Sequence, residues 1–205
     1  WHKVGGKNSK KRVSPHQHAY WGPSFSSDYI SNLLKLQKDR INIENCVMEK
    51  FLDFSQLAKL IASEIEKGKV IGWFQGKMEW GPRALGNRSI ICDPRRSDMK
   101  DILNLKIKRR ESFRPFAPSV LCEDVPEWFE QDDNVPFMMQ VYQINKNKRS
   151  KIPAVTHVDG SGRLQSVDKT TNPRYYQLIK EFKNLTNVPM VLNTSFNENE
   201  PVVCK

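Results

Sequence analysis

The chain has 205 residues, of which 38% are hydrophobic and 27% charged, and it carries a formal net charge of +10. This length allows one hydrophobic core with an appended segment, and since no apolar run approaches the ~20 residues that cross a membrane, we expect neither a membrane span nor a membrane partner. The four cysteines form no CxxC pair, which is typical of a cytoplasmic protein with reduced thiols, and the positive charge indicates anionic partners such as nucleotides, phosphorylated metabolites or nucleic acid.

Residues 1–48 are expected to form a linker and the remnant of a preceding domain. The first part is polar and basic, without a hydrophobic period. His16 and His18 lie close together, but no third ligand is near, so the sequence predicts solvated histidines rather than a metal site. Further along, Ser27 or Asp28 is expected to cap a short helix.

The second predicted unit spans residues 49–205. Apolar residues recur at helical spacing after Asp53, and Gly68 is expected to end this helix. The apolar run Val70–Phe74 then predicts a short buried strand. This alternation indicates an α/β domain. No predicted helix follows the last apolar residues, so we expect the domain to be truncated at its C-terminus.

Residues 72–118 combine eleven Lys and Arg residues with four prolines and four glycines. Proline and glycine fix the backbone at defined points, and arginine offers a rigid fork of donors for phosphate or carboxylate oxygens. Arg83 leaves a Gly-Pro turn, and Arg88 follows the next glycine. The pattern therefore predicts a pre-shaped anion pocket. The alternative is structural pairing of these arginines with Glu79 or Asp93.

The second half of this stretch predicts a helix followed by extended chain. Ser97 is expected to cap a helix that brings Asn104, Lys108 and Glu111 onto one face. Because two prolines bracket Phe113–Pro118, that segment is expected to be extended and to lead into a strand.

Downstream, the sequence predicts a helix over residues 125–129 and a strand over residues 137–142. Residues 154–165 then resemble a β-hairpin with an Asp-Gly-Ser-Gly turn. His157 precedes the turn and Arg163 follows it, so both side chains could face the same space. A histidine that only stabilises the turn is the alternative for His157.

A helix over residues 173–184 and a buried strand over residues 190–192 complete the predicted elements. Three polar residues follow this strand: Asn193, Ser195 and Asn197. Polar side chains directly after a buried strand often contact ligands in α/β folds. The alternative is that they only form a turn.

Four stretches resemble the C-terminal domain of the nodulation and antibiotic-tailoring carbamoyltransferase family. They are GKMEWGPRALGNRSIICDPRR, LNLKIKRRESFRPFAPSVL, THVDGSGRLQSV and VPMVLNTSFNENEP. The resemblance implies a YrdC-like α/β fold, which is a twisted open mixed sheet with flanking helices and a basic concave cavity. Lys108 and Arg110, followed by Pro115, resemble the lysine-arginine signature of that fold, and Ser195 and Asn197 resemble its serine-x-asparagine signature.

The resemblance also implies a reaction. In the family, this domain binds carbamoyl phosphate and ATP, used with Mg²⁺, and forms carbamoyl adenylate. A separate Kae1-like N-terminal domain passes the carbamoyl group to a hydroxyl acceptor. The residues expected to be catalytic are Lys108, Arg110 and His157. Those expected to bind carbamoyl phosphate or ATP are Arg83, Arg88, Arg114, Arg163, Asn193, Ser195 and Asn197.

Several features depart from the family pattern. The N-terminal domain is absent apart from its possible linker, so complete transfer by this chain alone is not expected. Asn199 stands where a glycine is common, which would change the last loop. An alternative function is an RNA- or nucleotide-binding module without catalysis. The sequence disfavours RNA, because the cations lie among Gly-Pro turns rather than in a stripe with regularly exposed aromatic residues.

Overall fold

The structure, a computed structural model, describes residues 17–198 and 200–204. His16 and Asn199, on which two of the expectations depend, lie outside this part of the chain. The strands, in chain order, are β1 (Ile71–Phe74), β2 (Arg88–Cys92), β3 (Ala117–Leu121), β4 (Gln140–Gln143), β5 (Ser161–Val167) and β6 (Met190–Ser195). The helices are α1 (Ser27–Leu36), α2 (Lys38–Ile43), α3 (Phe54–Glu66), α4 (Met99–Asp101), α5 (Val125–Trp128) and α6 (Pro173–Thr186).

The strands form one six-stranded open sheet in the order β1-β2-β6-β3-β5-β4. The β3–β5 pair is parallel, and the other neighbours are antiparallel. Helices α3 and α6 pack against one another, and α6 also packs on β3 and β6. The predicted α/β fold with an open mixed sheet and flanking helices is therefore confirmed.

Helix α3 forms as the sequence predicts. The Asp53 side chain accepts a hydrogen bond from the backbone N–H of Ser55 at 2.8 Å, which caps its first turn. Gly68 follows the helix with φ +86°, a left-handed conformation that favours glycine. The next strand, β1, differs from the expectation of a buried strand. It lies at the edge of the sheet, and Trp73 is its one buried residue.

The segment after β2 corrects the predicted Ser97-capped helix. Helix α4 begins after Asp98, makes no side-chain cap, and continues as a π-helix over Ile102–Ile107. The wide π turn ends with the Lys108 N–H donating to the Leu103 carbonyl at 2.7 Å. Glu111 lies beyond the helix, so it does not share a helical face with Lys108.

The predicted hairpin over residues 154–165 is also wrong in its first arm. A 3₁₀ turn over Pro153–Val155 replaces the expected strand. The His157 N–H donates to the Ser161 carbonyl at 2.8 Å and the His157 carbonyl accepts from Gly160 at 2.9 Å, which closes a local turn. The antiparallel partner of β5 is β4. This strand begins at Gln140, three residues after the predicted start at residue 137.

The segment before the domain contains two helices, of which only α1 was predicted. Ser26, rather than Ser27 or Asp28, caps α1 by accepting from the Tyr29 N–H at 3.2 Å. Neither α1 nor α2 has a buried residue. The division of the chain at residue 48 and the truncation of the domain remain predictions. No helix in the described part of the chain is both long and apolar enough to span a membrane.

Candidate functional site

A cavity of about 250 Å³ opens where β6 ends. The turn after Gly81, the segment that leads into β3, and residues of β5 and β6 form its walls. Pockets that enclose whole drug-sized ligands have ~300–1,000 Å³, so this smaller volume suits a small anion or a phosphate group. Six residues that the sequence predicted for the site line this cavity: Arg83, Arg110, Arg114, Arg163, Asn193 and Ser195.

The loop that carries Arg83 is organised by the buried carboxylate of Glu79. Its Oε1 accepts hydrogen bonds from the backbone N–H groups of Leu85 and Asn87, both at 2.7 Å, and of Arg88 at 3.3 Å. Three hydrogen bonds to one carboxylate oxygen fix the positions of these backbone N–H groups relative to Glu79. Glu79 therefore positions the arginine loop, and it is not among the residues that line the cavity.

The ring of Tyr175, on α6, also packs against this loop at Gly86. Gly86 has φ +102°, and a Cβ atom at this position would lie 2.2 Å from the Tyr175 ring. Only glycine fits this backbone conformation and this approach. The shape of the loop thus depends on the packing of α6 as well as on Glu79.

Arg83 and Arg163 face the cavity with buried Nε atoms that have no hydrogen-bond partner in the described part of the chain. Burial lowers the pKa of Arg163, and the charges of Arg83 and Arg110 lower it further. Among the described lining residues there is no Asp or Glu. These guanidinium groups repel one another without a counter-charge, so an anion in the cavity would stabilise them.

Arg110 and Arg114 complete the cationic lining. Arg110 donates from Nε to Oδ1 of Asn104 at 2.7 Å, and its guanidinium lies 4.9 Å from the centre of the Phe116 ring. Burial lowers the pKa of Arg110, and Arg114 lowers it further, while Glu111 opposes both. Arg114 is more exposed and pairs with Glu111 at 2.9 Å, so its charge is partly neutralised and screened by solvent.

Lys108 lies outside the cavity lining but holds the end of β6. Its buried Nζ lies 2.6 Å from the carbonyl oxygens of Ser195 and Asn197, 2.9 Å from Oδ1 of Asn197 and 3.3 Å from Oγ of Ser195. Burial, together with the charge of Arg110, lowers the pKa of Lys108 to about 8, and the charge of Glu200 acts in the opposite direction. The lysine-arginine signature therefore contacts the serine-x-asparagine signature through Lys108. Lys108 holds the backbone that places Ser195 at the cavity.

Arg88, expected to bind an anion, is placed elsewhere. Its side chain is fully buried and donates to the carbonyl oxygens of Gln75 at 2.7 Å and Asn87 at 2.9 Å. Its guanidinium lies 3.6 Å from the centre of the Phe74 ring. Burial lowers its pKa, which the charge of Glu79 opposes. Arg88 is therefore not among the residues that line the cavity, and backbone carbonyls accept hydrogen bonds from both of its terminal nitrogens. Its binding of an anion stays a prediction.

His157 and Asn197 also lie outside the lining. The Nδ1 atom of His157 is 3.1 Å from Oγ of Ser161, and that hydroxyl donates to Asp159 at 2.6 Å. Burial lowers the pKa of His157, and Arg163 lowers it further, while Asp159 opposes the shift. This geometry favours the turn-stabilising alternative for His157. Asn197 reaches the site only through Lys108 and Ser195.

Sequence reasoning missed the buried polar network that holds Asn193. The Nδ2 atom of Asn193 donates to Oγ of Ser119 at 2.9 Å and lies 3.2 Å from Oε1 of Gln165. Ser119 donates to the same Gln165 oxygen at 2.5 Å, and Gln165 donates to the Leu85 carbonyl at 3.0 Å. These residues lie on three adjacent strands. The available signal was Ser119 inside the otherwise apolar strand β3, which indicates a buried polar partner nearby.

Within the described part of the chain, the residues form no site for a protein-held metal ion. No group of three or more His, Cys, Asp or Glu side chains within the described ranges could hold one. Mg²⁺ prefers carboxylates together with substrate phosphates. The described residues that line the cavity include no carboxylate, so they do not form a Mg²⁺ site on their own.

The fold and the cavity define the class of protein as an α/β domain whose open sheet ends in a small arginine-lined cavity. The sequence profile that describes the carbamoyltransferase C-terminus matches residues 62–205. The chain belongs to this family, as its four characteristic stretches predicted.

Individual relatives agree with this assignment. The nodulation protein NolNO of Sinorhizobium fredii is 47% identical over 91% of the chain, which covers 27% of that relative. The nodulation protein NolO of Bradyrhizobium diazoefficiens is 44% identical over 90% of the chain and 33% of its own length. The 3'-hydroxymethylcephem-O-carbamoyltransferase of Streptomyces clavuligerus is 40% identical over 68% of the chain and 26% of its own length. The chain thus spans about a quarter to a third of these relatives.

Proposed function

We propose that the cavity binds carbamoyl phosphate and the phosphates of ATP, and that the domain forms carbamoyl adenylate. The observation that carries this proposal is the convergence of Arg83, Arg110 and Arg163 on one small cavity whose described lining has no carboxylate. Keeping like charges together under partial burial is unfavourable unless an anion neutralises them. A ligand with a phosphate dianion meets this requirement.

The size of the cavity supports the assignment of the two ligands. Carbamoyl phosphate is a small anion that fits a volume of about 250 Å³. Pockets that enclose larger organic ligands have ~300–1,000 Å³. Only the phosphate end of ATP would therefore enter the cavity, with the nucleoside outside its mouth.

The proposed chemistry needs no protein nucleophile. Water first cleaves carbamoyl phosphate into carbamate and inorganic phosphate. An oxygen of the carbamate then attacks the α-phosphorus of ATP, a new P–O bond forms, and the bond to pyrophosphate breaks. Negative charge grows on the phosphoryl oxygens and on the leaving group. Fixed Lys and Arg donors stabilise this charge without reorganisation, and this is the role we assign to Arg110 and to the charge of Lys108.

Transfer of the carbamoyl group to a hydroxyl acceptor is assigned to a Kae1-like N-terminal domain outside this chain. Its support is the length of the relatives, in which this domain covers about a third or less. A second support is an exposed apolar surface around α1 and α2, part of which lines a groove of about 770 Å³. The exposed residues are Ile30, Leu33, Leu34, Leu36, Ile43, Val47, Met48 and Leu52. Such a surface suits a protein contact.

An RNA-binding module is the competing function. Its support is the net charge of +10. The site described above favours a small anion instead, because the arginines converge on a cavity that is too small to track a nucleic-acid backbone. RNA binding would show a steep dependence on salt and no competition by carbamoyl phosphate.

The test of the proposed function is carbamoyl-phosphate-dependent exchange of pyrophosphate into ATP. We expect exchange that requires carbamoyl phosphate and is lost in Arg110→Ala. A matched control is Arg149→Ala, because Arg149 bonds Gln143 and the Ile144 carbonyl outside the cavity. Absence of exchange, together with absence of binding of both ligands by calorimetry, would contradict the proposal.

A further inference from the structure

The side-chain amide of Asn193 has a fixed orientation in the floor of the cavity. Its Nδ2 atom lies 3.0 Å from the Ala84 carbonyl oxygen and 2.9 Å from Oγ of Ser119. A carbonyl oxygen can only accept a hydrogen bond, so the nitrogen end of the amide must face Ala84. The oxygen end, Oδ1, must therefore point away from this carbonyl.

This orientation leaves the amide oxygen without a partner. Asn193 lines the cavity and is 1% exposed, and its Oδ1 is buried with no hydrogen-bond donor in the part of the chain that the structure describes. Buried polar atoms in proteins are nearly always hydrogen-bonded, and each exception calls for an explanation. A ligand that supplies an N–H or O–H group to Oδ1 provides one.

A ligand that satisfies these atoms needs both a hydrogen-bond acceptor and a hydrogen-bond donor. The unpartnered Nε atoms of Arg83 and Arg163 are donors that require an acceptor, whereas Oδ1 of Asn193 is an acceptor that requires a donor. A bare phosphate dianion, or an acyl phosphate with a methyl group, supplies acceptors only. A small phosphate that also carries an amide N–H supplies both.

We propose that Asn193 Oδ1 accepts a hydrogen bond from the carbamoyl NH₂ group and so determines specificity for carbamoyl phosphate over other acyl phosphates. This inference rests on the proposed function of the cavity. A site built to bond an N–H group rejects an analogue without it, because the buried oxygen then remains unpaired. Asn193 is in this view a specificity-determining residue.

The direct test uses two ligands and the unmodified protein. Acetyl phosphate has nearly the same shape as carbamoyl phosphate, with a methyl group in place of the NH₂ group. The affinity of each, measured by titration calorimetry, is expected to differ by about 10- to 100-fold in favour of carbamoyl phosphate. Equal affinities would overturn the role of Asn193 while leaving the proposed function intact. If neither ligand binds, the proposed function itself fails.

A pair of variants assigns the preference to Asn193. Asn193→Ser removes the amide oxygen, and we expect it to bring the two affinities to within about threefold of one another. Asn172→Ser is the matched control, since Asn172 is also a buried, hydrogen-bonded asparagine but lies outside this cavity lining. The control is expected to keep the full preference. A preference that survives in folded Asn193→Ser would overturn the inference, and the ligand comparison on the unmodified protein decides the matter if this variant does not fold.

Discussion

Replacement of Glu79 by glutamine is expected to loosen the loop that carries Arg83. The Glu79 carboxylate accepts two backbone N–H groups at 2.7 Å and a third at 3.3 Å, and its charge opposes the lowering of the Arg88 pKa. A hydrogen bond to a charged group contributes ~1.5–3 kcal/mol, and one between neutral groups ~0.5–1.5 kcal/mol. Two short bonds that each lose ~1 kcal/mol, together with the less well compensated charge of buried Arg88, predict a loss of about 2–4 kcal/mol in the free energy of unfolding.

The assay is urea unfolding of Glu79→Gln, combined with calorimetric titration of carbamoyl phosphate. Glu66→Gln is a suitable control, because Glu66 is 46% exposed and lies 3.6 Å from Arg95 in a surface pair. Such pairs contribute ~0–1 kcal/mol. We expect the control to behave like the unmodified protein. A Glu79→Gln variant with unchanged stability and unchanged affinity would refute the reasoning that Glu79 positions the arginine loop.

Two further predictions concern the same site. Gly86→Ala is expected to destabilise the fold by several kcal/mol, because the new Cβ atom would lie 2.2 Å from the Tyr175 ring at φ +102°; thermal unfolding measures this, and a melting temperature unchanged from the unmodified protein would contradict it. Because a bound dianion favours the charged form of Lys108, affinity for carbamoyl phosphate is expected to fall as the pH rises through about 8. The ligand does not cause this fall, since the second phosphate pKa is ~6. The same titrations on Lys108→Arg should show no such step, and an identical step in that variant would assign it to another group.

The sequence predicted the elements whose signals are local. Asp53 and Gly68 mark both ends of α3 correctly, since a cap and a left-handed glycine act within one turn. The edge position of β1 was not predictable in this way. Whether Val70–Phe74 is buried depends on which strands lie beside it, and that is set by contacts distant in the chain.

The site was predicted only in part, because residue type is a local signal whereas the direction of a side chain depends on tertiary contacts. Residue type indicated an anion pocket, and six of the chosen residues line one cavity. The sequence could not show which of Arg83 and Arg88 lines the cavity, because both follow a glycine turn. Their side chains diverge because Arg88 is in β2, where its guanidinium meets backbone carbonyls, whereas Arg83 is in the loop before it.

The segment after β2 shows most clearly what periodicity in the sequence cannot predict. The apolar spacing around residues 99–107 fits an α-helix, yet a π turn forms, and Lys108 then reaches Ser195 and Asn197 on β6. The hydrogen bonds of the Lys108 ammonium with these distant oxygens are tertiary contacts. The helical periodicity of the sequence contains no information about such contacts.

The cavity is proposed to bind carbamoyl phosphate because no carboxylate among its described lining residues neutralises Arg83, Arg110 and Arg163. Titration calorimetry of this ligand with the unmodified chain and with Arg163→Gln tests the claim most directly, because Arg163 lines the cavity and its buried Nε has no partner among the described residues. We predict binding to the unmodified chain and an affinity at least about tenfold weaker in the variant, since a charge-assisted hydrogen bond is lost. The same affinity in both proteins, or no binding to the unmodified chain, would contradict the claim.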